Sequence, residues 1–260
     1  MLNPYTPSSR SGESPYVIAH RGLSGKAPEN TIASFKKAIA TPGVDMIELD
    51  VRVSNDGHAI VLHDRSLQRT TTGNGTARNY TAKEIQSYDA GSWFHPSFAG
   101  QRVPLLAEVL ELAKGTCWLN IELKGGLLPS RSDLLARTVI ETVREHEMQD
   151  FVLYSSFKHD LLAQVRKHDP KAITGVIYNL YRDLGRPPSK LAERVGASVF
   201  VCAKHELRRS MVRDAHQHHL SFYVYTLNAV EEVKKMVDLG INGIISDVAD
   251  EIVGVVKGTV

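Results

Sequence analysis

Cysteine is scarce in this chain of 260 residues, which contains only Cys117 and Cys202. Both lie in apolar runs with strand character, so neither a disulfide framework nor a cysteine-based metal site is expected. A surplus of one charge sign is lacking as well, because 31 basic residues are set against 29 acidic ones, a net charge of +2. This balance argues against a general nucleic-acid partner, whose recognition needs an extended positive surface.

Long apolar runs are also missing. No stretch approaches the ~20 apolar residues that a membrane span requires, so stable membrane insertion is not expected. Residues 1–15 are polar, contain several serines and prolines, and lack the apolar core of a secretory signal. The sequence therefore predicts a cytoplasmic protein with a flexible N-terminal tail over residues 1–15, and it leaves the oligomeric state open.

What is present is a regular alternation of β-rich runs and helix-period stretches, which is typical of repeated βα units around a parallel sheet. The strand candidates are Tyr16–His20, Val44–Val53, Ala59–His63, Thr116–Leu123, Phe151–Ser155, Ala172–Ile177, Ser198–Val201, Phe222–Thr226 and Gly243–Ile245. The second and third are separated by five residues that contain Asp56-Gly57, a hairpin dipeptide. Without that hairpin's return arm, eight parallel strands remain, and residues 16–260 are predicted to form an α/β TIM (β/α)8 barrel.

A small insertion after strand 2 interrupts this rhythm. Residues 64–102 are rich in Thr, Gly, Asn and aromatic side chains, and we assign a cap-like insertion to residues 54–103. Insertions at the carboxyl end of a barrel strand usually build or cover the active site, although a loop without function is the alternative. If Asp56-Gly57 is a two-residue turn, Asn55 pairs with His58, and His63 lies directly opposite Asp50.

Charged residues recur at every second position of two strands. Glu48, Asp50 and Arg52 share one face of the second strand, and Asn120, Glu122 and Lys124 share one face of the fourth run. Both faces should point into the barrel, where carboxylates are costly unless they are paired or bind a cation. Glu48, Asp50 and Glu122 would form an all-oxygen site for one Mg2+ or Ca2+ ion. The alternative is an internal salt-bridge network with Arg52 and Lys124.

Two histidines end neighbouring runs at the predicted barrel mouth. His20 and His63 titrate near neutrality, as an acid and a base for P–O cleavage must. The position of His63 suits a proton donor and that of His20 a base, but the sequence does not decide the order. Arg21 and Lys124 are the candidate phosphate ligands. Asn30 is a further candidate for substrate or phosphate binding, although helix capping explains its position almost as well.

Taken in order, the motifs resemble those of the glycerophosphodiester phosphodiesterase family. They are His20-Arg21-Gly22, Pro28-Glu29-Asn30-Thr31, Glu48-Leu49-Asp50-Val51, Asp56-Gly57, His63-Asp64, Arg69-Thr70-Thr71, Ile121-Glu122-Leu123-Lys124 and Ser156-Phe157. The resemblance implies a barrel hydrolase that releases sn-glycerol 3-phosphate and an alcohol from small glycerophosphodiesters.

The resemblance also implies roles for individual residues. It matches Glu48, Asp50 and Glu122 to metal ligands, His20 and His63 to catalytic histidines, and Arg21 and Lys124 to phosphate-binding groups. Phe157 and Tyr225 are taken as substrate-binding residues. Tyr225 stands where the family commonly has Trp, so it keeps an aromatic wall but changes its size. The alternatives are a phosphodiesterase of the lysophospholipase D type and a barrel that binds a phosphodiester without cleaving it.

Overall fold

The computed structural model describes residues 14–125 and 129–258. Most of the expected N-terminal tail, residues 1–13, lies outside the described residues. The strands are β1 (Tyr16–His20), β2 (Met46–Val53), β3 (Ala59–Val61), β4 (Trp118–Leu123), β5 (Val152–Ser156), β6 (Ile173–Ile177), β7 (Val199–Ala203), β8 (Ser221–Tyr225) and β9 (Gly243–Ser246). The helices are α1 (Ile32–Ile39), α2 (Ala82–Gln86), α3 (Leu106–Ala113), α4 (Pro129–Glu145), α5 (His159–His168), α6 (Leu180–Asp183), α7 (Pro188–Glu193), α8 (Arg209–Gln217), α9 (Val230–Asp238) and α10 (Ala249–Lys257).

Eight parallel strands close into the predicted barrel, and β3 is an additional antiparallel strand on β2. Closure is made by β1, which pairs with β2 on one side and with β9 on the other. The strands alternate as the sequence predicted. Ile47, Leu49 and Val51 pack outwards into the layer between sheet and helices. A second apolar cluster lies inside the barrel and includes Tyr16, Met46 and Trp118 at the beginnings of their strands.

The hairpin between β2 and β3 differs from the prediction. Its loop has three residues, because Ser54 N–H donates to the His58 carbonyl at 2.9 Å and Gly57 adopts a positive φ of 87°. A three-residue loop with glycine in the left-handed region is a common hairpin geometry. The register therefore shifts by one residue, Val51 pairs with Val61, and Asp50 lies opposite Leu62 rather than His63.

The insertion that follows has a small apolar core of its own, formed by Ile60, Leu62, Leu67, Ala77, Ala82, Ile85, Ala90 and Val103. α2 is fixed at its beginning by a capping box between Thr81 and Glu84. Within the described residues, no helix is long and apolar enough to cross a membrane.

Candidate active site

Three carboxylates meet inside the carboxyl end of the barrel. Parallel pairing sets Asp50 on β2 beside Glu122 on β4, and Glu48 lies two residues earlier on the same face of β2. One oxygen from each of the three residues can be chosen so that all lie within 4.8 Å of one another. All are buried, with exposures of 4% for Glu48, 1% for Asp50 and 8% for Glu122. The sequence prediction that two strands aim carboxylates at one place is therefore confirmed in the geometry.

These carboxylates have very different affinities for a proton. Burial, reinforced by the negative charge of Asp50, raises the pKa of Glu48 from 4.5 to about 8. The pKa of Glu122 is raised by burial as well, although Lys124 opposes the shift. Burial also acts to raise the pKa of Asp50, but Lys124 and Arg21 outweigh it, and the net shift is downwards. Burial therefore makes simultaneous ionisation of all three carboxylates unfavourable without a further positive charge.

The cations around the cluster only partly match the expected salt-bridge network. Lys124 Nζ lies 3.0 Å from Asp50 Oδ1 and 2.5 Å from Glu122 Oε1, and Arg21 Nε lies 3.2 Å from Asp50 Oδ2. Arg52, by contrast, donates to the carbonyl oxygens of His63 and Lys124, at 3.0 and 3.3 Å, and forms no salt bridge within the described residues. It anchors the backbone after β3 instead of neutralising the carboxylates.

The donor set fits a hard divalent cation. Asp50 Oδ1 is buried and accepts no hydrogen bond, even with the Lys124 ammonium beside it. A buried oxygen that accepts no hydrogen bond, next to two carboxylates of raised pKa, is costly without a further positive charge. Mg2+ and Ca2+ prefer oxygen ligands of this kind, and the open barrel mouth allows them to keep water.

The loop after β1 holds Asp50 and Arg21 in place. The Asn30 amide donates to Asp50 Oδ2 at 2.8 Å, and its oxygen accepts the Asp50 N–H at 3.2 Å. Arg21 and Asn30 both adopt positive φ angles, of 54° and 57°, a strained conformation that clusters at functional sites. Gly22 must remain small, since a Cβ there would lie 2.1 Å from Ser34 Oγ. Asn30 thus contacts Asp50 with both ends of its amide, which suits a positioning residue.

His20, at the end of β1, is oriented by a carboxylate from the last strand's loop. Its Nδ1 lies 2.6 Å from Asp247 Oδ1, which leaves Nε2 facing the site, 3.9 Å from Glu48 Oε2. Asp247 also accepts hydrogen bonds from two neutral groups, Ser24 Oγ at 3.1 Å and Asn228 Nδ2 at 2.8 Å. Burial lowers the pKa of His20, but the bond to Asp247 and the charge of Glu48 outweigh it, and the net shift is upwards.

His63 is also hydrogen-bonded to a carboxylate, but the charged groups around it differ from those around His20. Its Nδ1 lies 2.6 Å from Asp64 Oδ1, and Asp64 is in turn paired with the Arg69 guanidinium. Burial lowers the pKa of His63. The carboxylates of Asp50 and Asp64 act to raise it, but the positive charges of Lys124 and Arg21 oppose them, and the net shift is downwards. The two histidines are therefore shifted in opposite directions.

Arg69 also connects the two sides of the site. It donates twice to Glu29, with both bonds at 2.8 Å, and Glu29 accepts a bond of 2.7 Å from Arg21 Nη1. A continuous chain of charged hydrogen bonds therefore runs from His63 to Arg21 through Asp64, Arg69 and Glu29. Sequence reasoning quoted the motifs that contain Asp64 and Arg69 but gave these residues no role, and it gave none to Asp247.

The site opens into a cavity of about 190 Å³. Its wall is formed by the catalytic candidates and a set of smaller or apolar side chains: His20, Arg21, Glu48, His63, Asn120, Glu122, Lys124, Ser155, Phe157, Ile177, Val201, Tyr225, Thr226 and Ile245. Phe157 and Tyr225 meet edge to face across it, with ring centroids 6.4 Å apart. The cavity thus combines cations near the carboxylates with one aromatic wall. All the site residues predicted from the sequence line it except Asn30 and Asp50, which lie behind its surface.

Known proteins share this sequence and architecture. The model of the glycerophosphoryl diester phosphodiesterase family matches residues 20–251. A glycerophosphodiester phosphodiesterase of Caldanaerobacter subterraneus subsp. tengcongensis is 35% identical over 242 residues, 93% of this chain and 97% of the relative. Another from Bacillus altitudinis is 33% identical over 241 residues, 91% of this chain and 96% of the relative.

A solved structure gives the same result. The phosphodiesterase of Oleispira antarctica, in complex with the product sn-glycerol 3-phosphate, superposes with a TM-score of 0.86 at 28% identity and covers 93% of this chain and 96% of its own. Sequence similarity and fold thus agree. The chain therefore belongs to the glycerophosphoryl diester phosphodiesterase family and is a hydrolase of glycerophosphodiesters.

Proposed function

We propose that the chain hydrolyses small glycerophosphodiesters to sn-glycerol 3-phosphate and an alcohol, with one divalent cation bound by Glu48, Asp50 and Glu122. The observation that carries the proposal is the buried carboxylate cluster, flanked by two carboxylate-oriented histidines in one cavity. The Oleispira enzyme, which binds sn-glycerol 3-phosphate, supports the identity of the product.

The phosphodiester carries a negative charge that the cluster itself would repel. Arg21 offers a planar fork and Lys124 a point charge at the rim of the carboxylates, and both have a raised pKa because Asp50 and its neighbours outweigh the effect of burial. Both therefore remain charged at neutral pH. A divalent cation, when bound, would neutralise the carboxylates and polarise a phosphoryl oxygen. Arg21 and Lys124 would hold the remaining oxygens and fix the diester for in-line attack.

The two histidines would carry the proton transfers through their Nε2 atoms, since Nδ1 of each is bound to a carboxylate. No lysine or arginine among the described residues forms a salt bridge with Asp247, whereas Arg69 neutralises much of the charge of Asp64. His20 consequently retains a proton more readily than His63. We infer that His20 protonates the leaving oxygen and that His63 accepts the proton of the attacking hydroxyl, the reverse of the order suggested by sequence position.

The attacking group in this proposal is the substrate's own glycerol hydroxyl, as the family resemblance implies, and its attack expels the protonated alcohol and forms a cyclic phosphate. Water then opens the ring at phosphorus to give sn-glycerol 3-phosphate. Phe157 and Tyr225 would pack against the carbon skeleton of the substrate. Asn30 would keep Asp50 aligned without touching the diester.

A panel of substrates tests the proposal. Glycerophosphocholine, glycerophosphoethanolamine, glycerophosphoglycerol and a lysophospholipid should be incubated with the chain and Mg2+ or Ca2+, with 31P NMR and a coupled assay for glycerol 3-phosphate. The proposal predicts release of glycerol 3-phosphate from the small diesters. Release of lysophosphatidic acid alone would favour the lysophospholipase D alternative, and saturable binding without turnover would favour a binding protein.

A further inference from the structure

A second depression adjoins the active-site cavity on the side of β5 and β6. This groove has a volume of about 420 Å³ and lies between the beginning of α5 and the segment from α6 to α7. Phe157 lines both the groove and the active-site cavity. The two spaces therefore have the Phe157 side chain as a common wall.

Cations dominate the wall of the groove. Arg182, Arg186 and Arg194 line it, all three are exposed, and none forms a salt bridge within the part of the chain that the structure describes. Lys158 also lies on the wall. Of the two acidic residues there, Asp183 is buried and accepts the Asn179 N–H at 2.8 Å, and Asp160 is exposed. The three arginines thus outnumber the two acidic side chains on the wall, and the groove is positively charged on balance.

One of these cations stands directly behind the active site. The Arg182 guanidinium lies 5.7 Å from the centroid of the Phe157 ring, and Lys124 Nζ lies 5.8 Å from the same centroid. The separation of the two cations can therefore not exceed the sum of these distances. A ligand whose phosphodiester lies at Lys124 can pass Phe157 and bring a second anionic group to Arg182.

We propose that this groove is an anion subsite for the alcohol half of the substrate. The inference rests on the proposed function and specifies its substrate class: glycerophosphodiesters whose leaving alcohol carries a second phosphate or phosphodiester. The glycerol half has no ionisable group, so only the alcohol half can bring this charge. Arginine suits the task because its planar fork matches a phosphate, and a cleft concentrates the attraction.

Two substrates with the same leaving atom test the subsite. Glycerophosphoglycerol releases neutral glycerol, and 1,3-bis(glycerophospho)glycerol releases a glycerol that carries another phosphodiester. The subsite predicts a kcat/KM about tenfold higher for the second compound at low ionic strength, or about 1.4 kcal/mol. The preference should shrink in 0.5 M salt because exposed cations are screened. The second compound has two equivalent ends, so a twofold difference counts as no preference.

Substitutions in the groove test whether its arginines cause this substrate preference. Arg186→Gln combined with Arg194→Gln, and Arg182→Gln alone, should each reduce the preference towards twofold and flatten its salt dependence. Arg182→Lys, which keeps the charge, should retain most of it. The matched control combines Arg137→Gln with Arg213→Gln. Both arginines are exposed, on α4 and α8, and neither forms a salt bridge with another described residue, so this variant should keep the preference.

Equal kcat/KM values for both diesters after the twofold correction would overturn the subsite while leaving the proposed function intact. If neither diester is cleaved, the proposed function fails and the subsite falls with it. Tyr181 and Leu184 are 89% and 72% exposed beside the groove, so sedimentation with phosphatidylglycerol vesicles is a necessary companion measurement. Vesicle binding that the groove variants abolish without changing the diester ratio would also overturn the proposal.

Discussion

Replacing Glu48 with Gln should stabilise the metal-free protein, and the gain should grow with pH. The pKa of Glu48 rises from 4.5 to about 8 in the folded state because the carboxyl group is buried next to Asp50. Below pH 4.5 the folded and unfolded states both hold the proton, so ionisation of this group does not change the free energy of unfolding. Between pH 4.5 and 8 the unfolded state releases the proton while the folded state keeps it, and stability falls as pH rises.

The size of this loss of stability follows from the difference between the pKa of Glu48 in the folded and unfolded states. At about 1.4 kcal/mol for each pKa unit, the loss reaches about 3 kcal/mol at pH 7 and about 4 kcal/mol at pH 8. Glu48→Gln removes the ionisation but keeps an oxygen that can accept the Arg21 N–H, now 3.0 Å from Glu48 Oε2. At about 2–4 °C per kcal/mol, the variant should melt about 10 °C above the metal-free wild type at pH 8. At pH 5 the two proteins should differ by less than about 1 kcal/mol.

Thermal unfolding in the presence of a chelator, at pH 5 and pH 8, provides the assay. Glu141→Gln, at an exposed position on α4, is the control and should show no pH-dependent difference from the wild type. Adding excess Mg2+ or Ca2+ should stabilise the wild type and narrow or reverse the gap, since the variant lacks one ligand. The reasoning is refuted if the metal-free wild type is at least as stable as Glu48→Gln at pH 8.

Two further predictions concern proton transfer. His20→Ala and His63→Ala should each lower turnover of a natural diester by about 10²–10⁴-fold. With the p-nitrophenyl ester of glycerol phosphate, whose leaving group needs no proton, His20→Ala should recover much of its rate and His63→Ala should not. The opposite pattern would exchange the two roles. Arg69→Ala should leave the charge of Asp64 unneutralised and raise the pKa of His63, so the acidic limb of the kcat/KM profile should move to higher pH. Asp247→Asn should lower the pKa of His20 and move the basic limb to lower pH. Parallel profiles with a uniform loss would show that Arg69 and Asp247 have only a structural role.

The barrel and its carboxylate cluster could be predicted because both depend on local patterns. Alternation along β2 and β4 determines which side chains point inwards, and parallel pairing brings the carboxyl ends of neighbouring strands together. Strand pairing alone therefore brings together Glu48, Asp50 and Glu122, independently of the loop conformations. The same alternation predicted the outward apolar face that packs on the helices.

The hairpin register could not be predicted because it depends on one backbone angle. Asp56-Gly57 is compatible with a two-residue or a three-residue loop, and the positive φ of Gly57 together with the Ser54 to His58 closure selects the longer one. His63 nevertheless lines the cavity, since β3 ends at Val61 and Arg52 binds the carbonyl of His63. The sequence thus placed His63 at the cavity correctly, although the hairpin register from which this was argued was wrong.

The partners of the histidines were missed for a different reason. Asp247 is 227 positions from His20, and only closure of the barrel between β1 and β9 brings them within 2.6 Å. Asp64 follows His63 directly, but its effect depends on Arg69 and Glu29, which pair across 40 positions. Such contacts are set by tertiary structure and leave no periodic signal in the sequence.

The most direct test of the account is a metal-removal experiment in which bound cation and product are measured on the same sample. The chain should be stripped with a chelator, titrated with Mg2+ or Ca2+, and assayed for glycerol 3-phosphate released from glycerophosphocholine. We expect activity to disappear with the cation and to return in proportion to one ion bound per chain, while Glu122→Gln binds no stoichiometric ion and releases no product. Full release of glycerol 3-phosphate by a sample shown to contain no divalent metal would contradict the account.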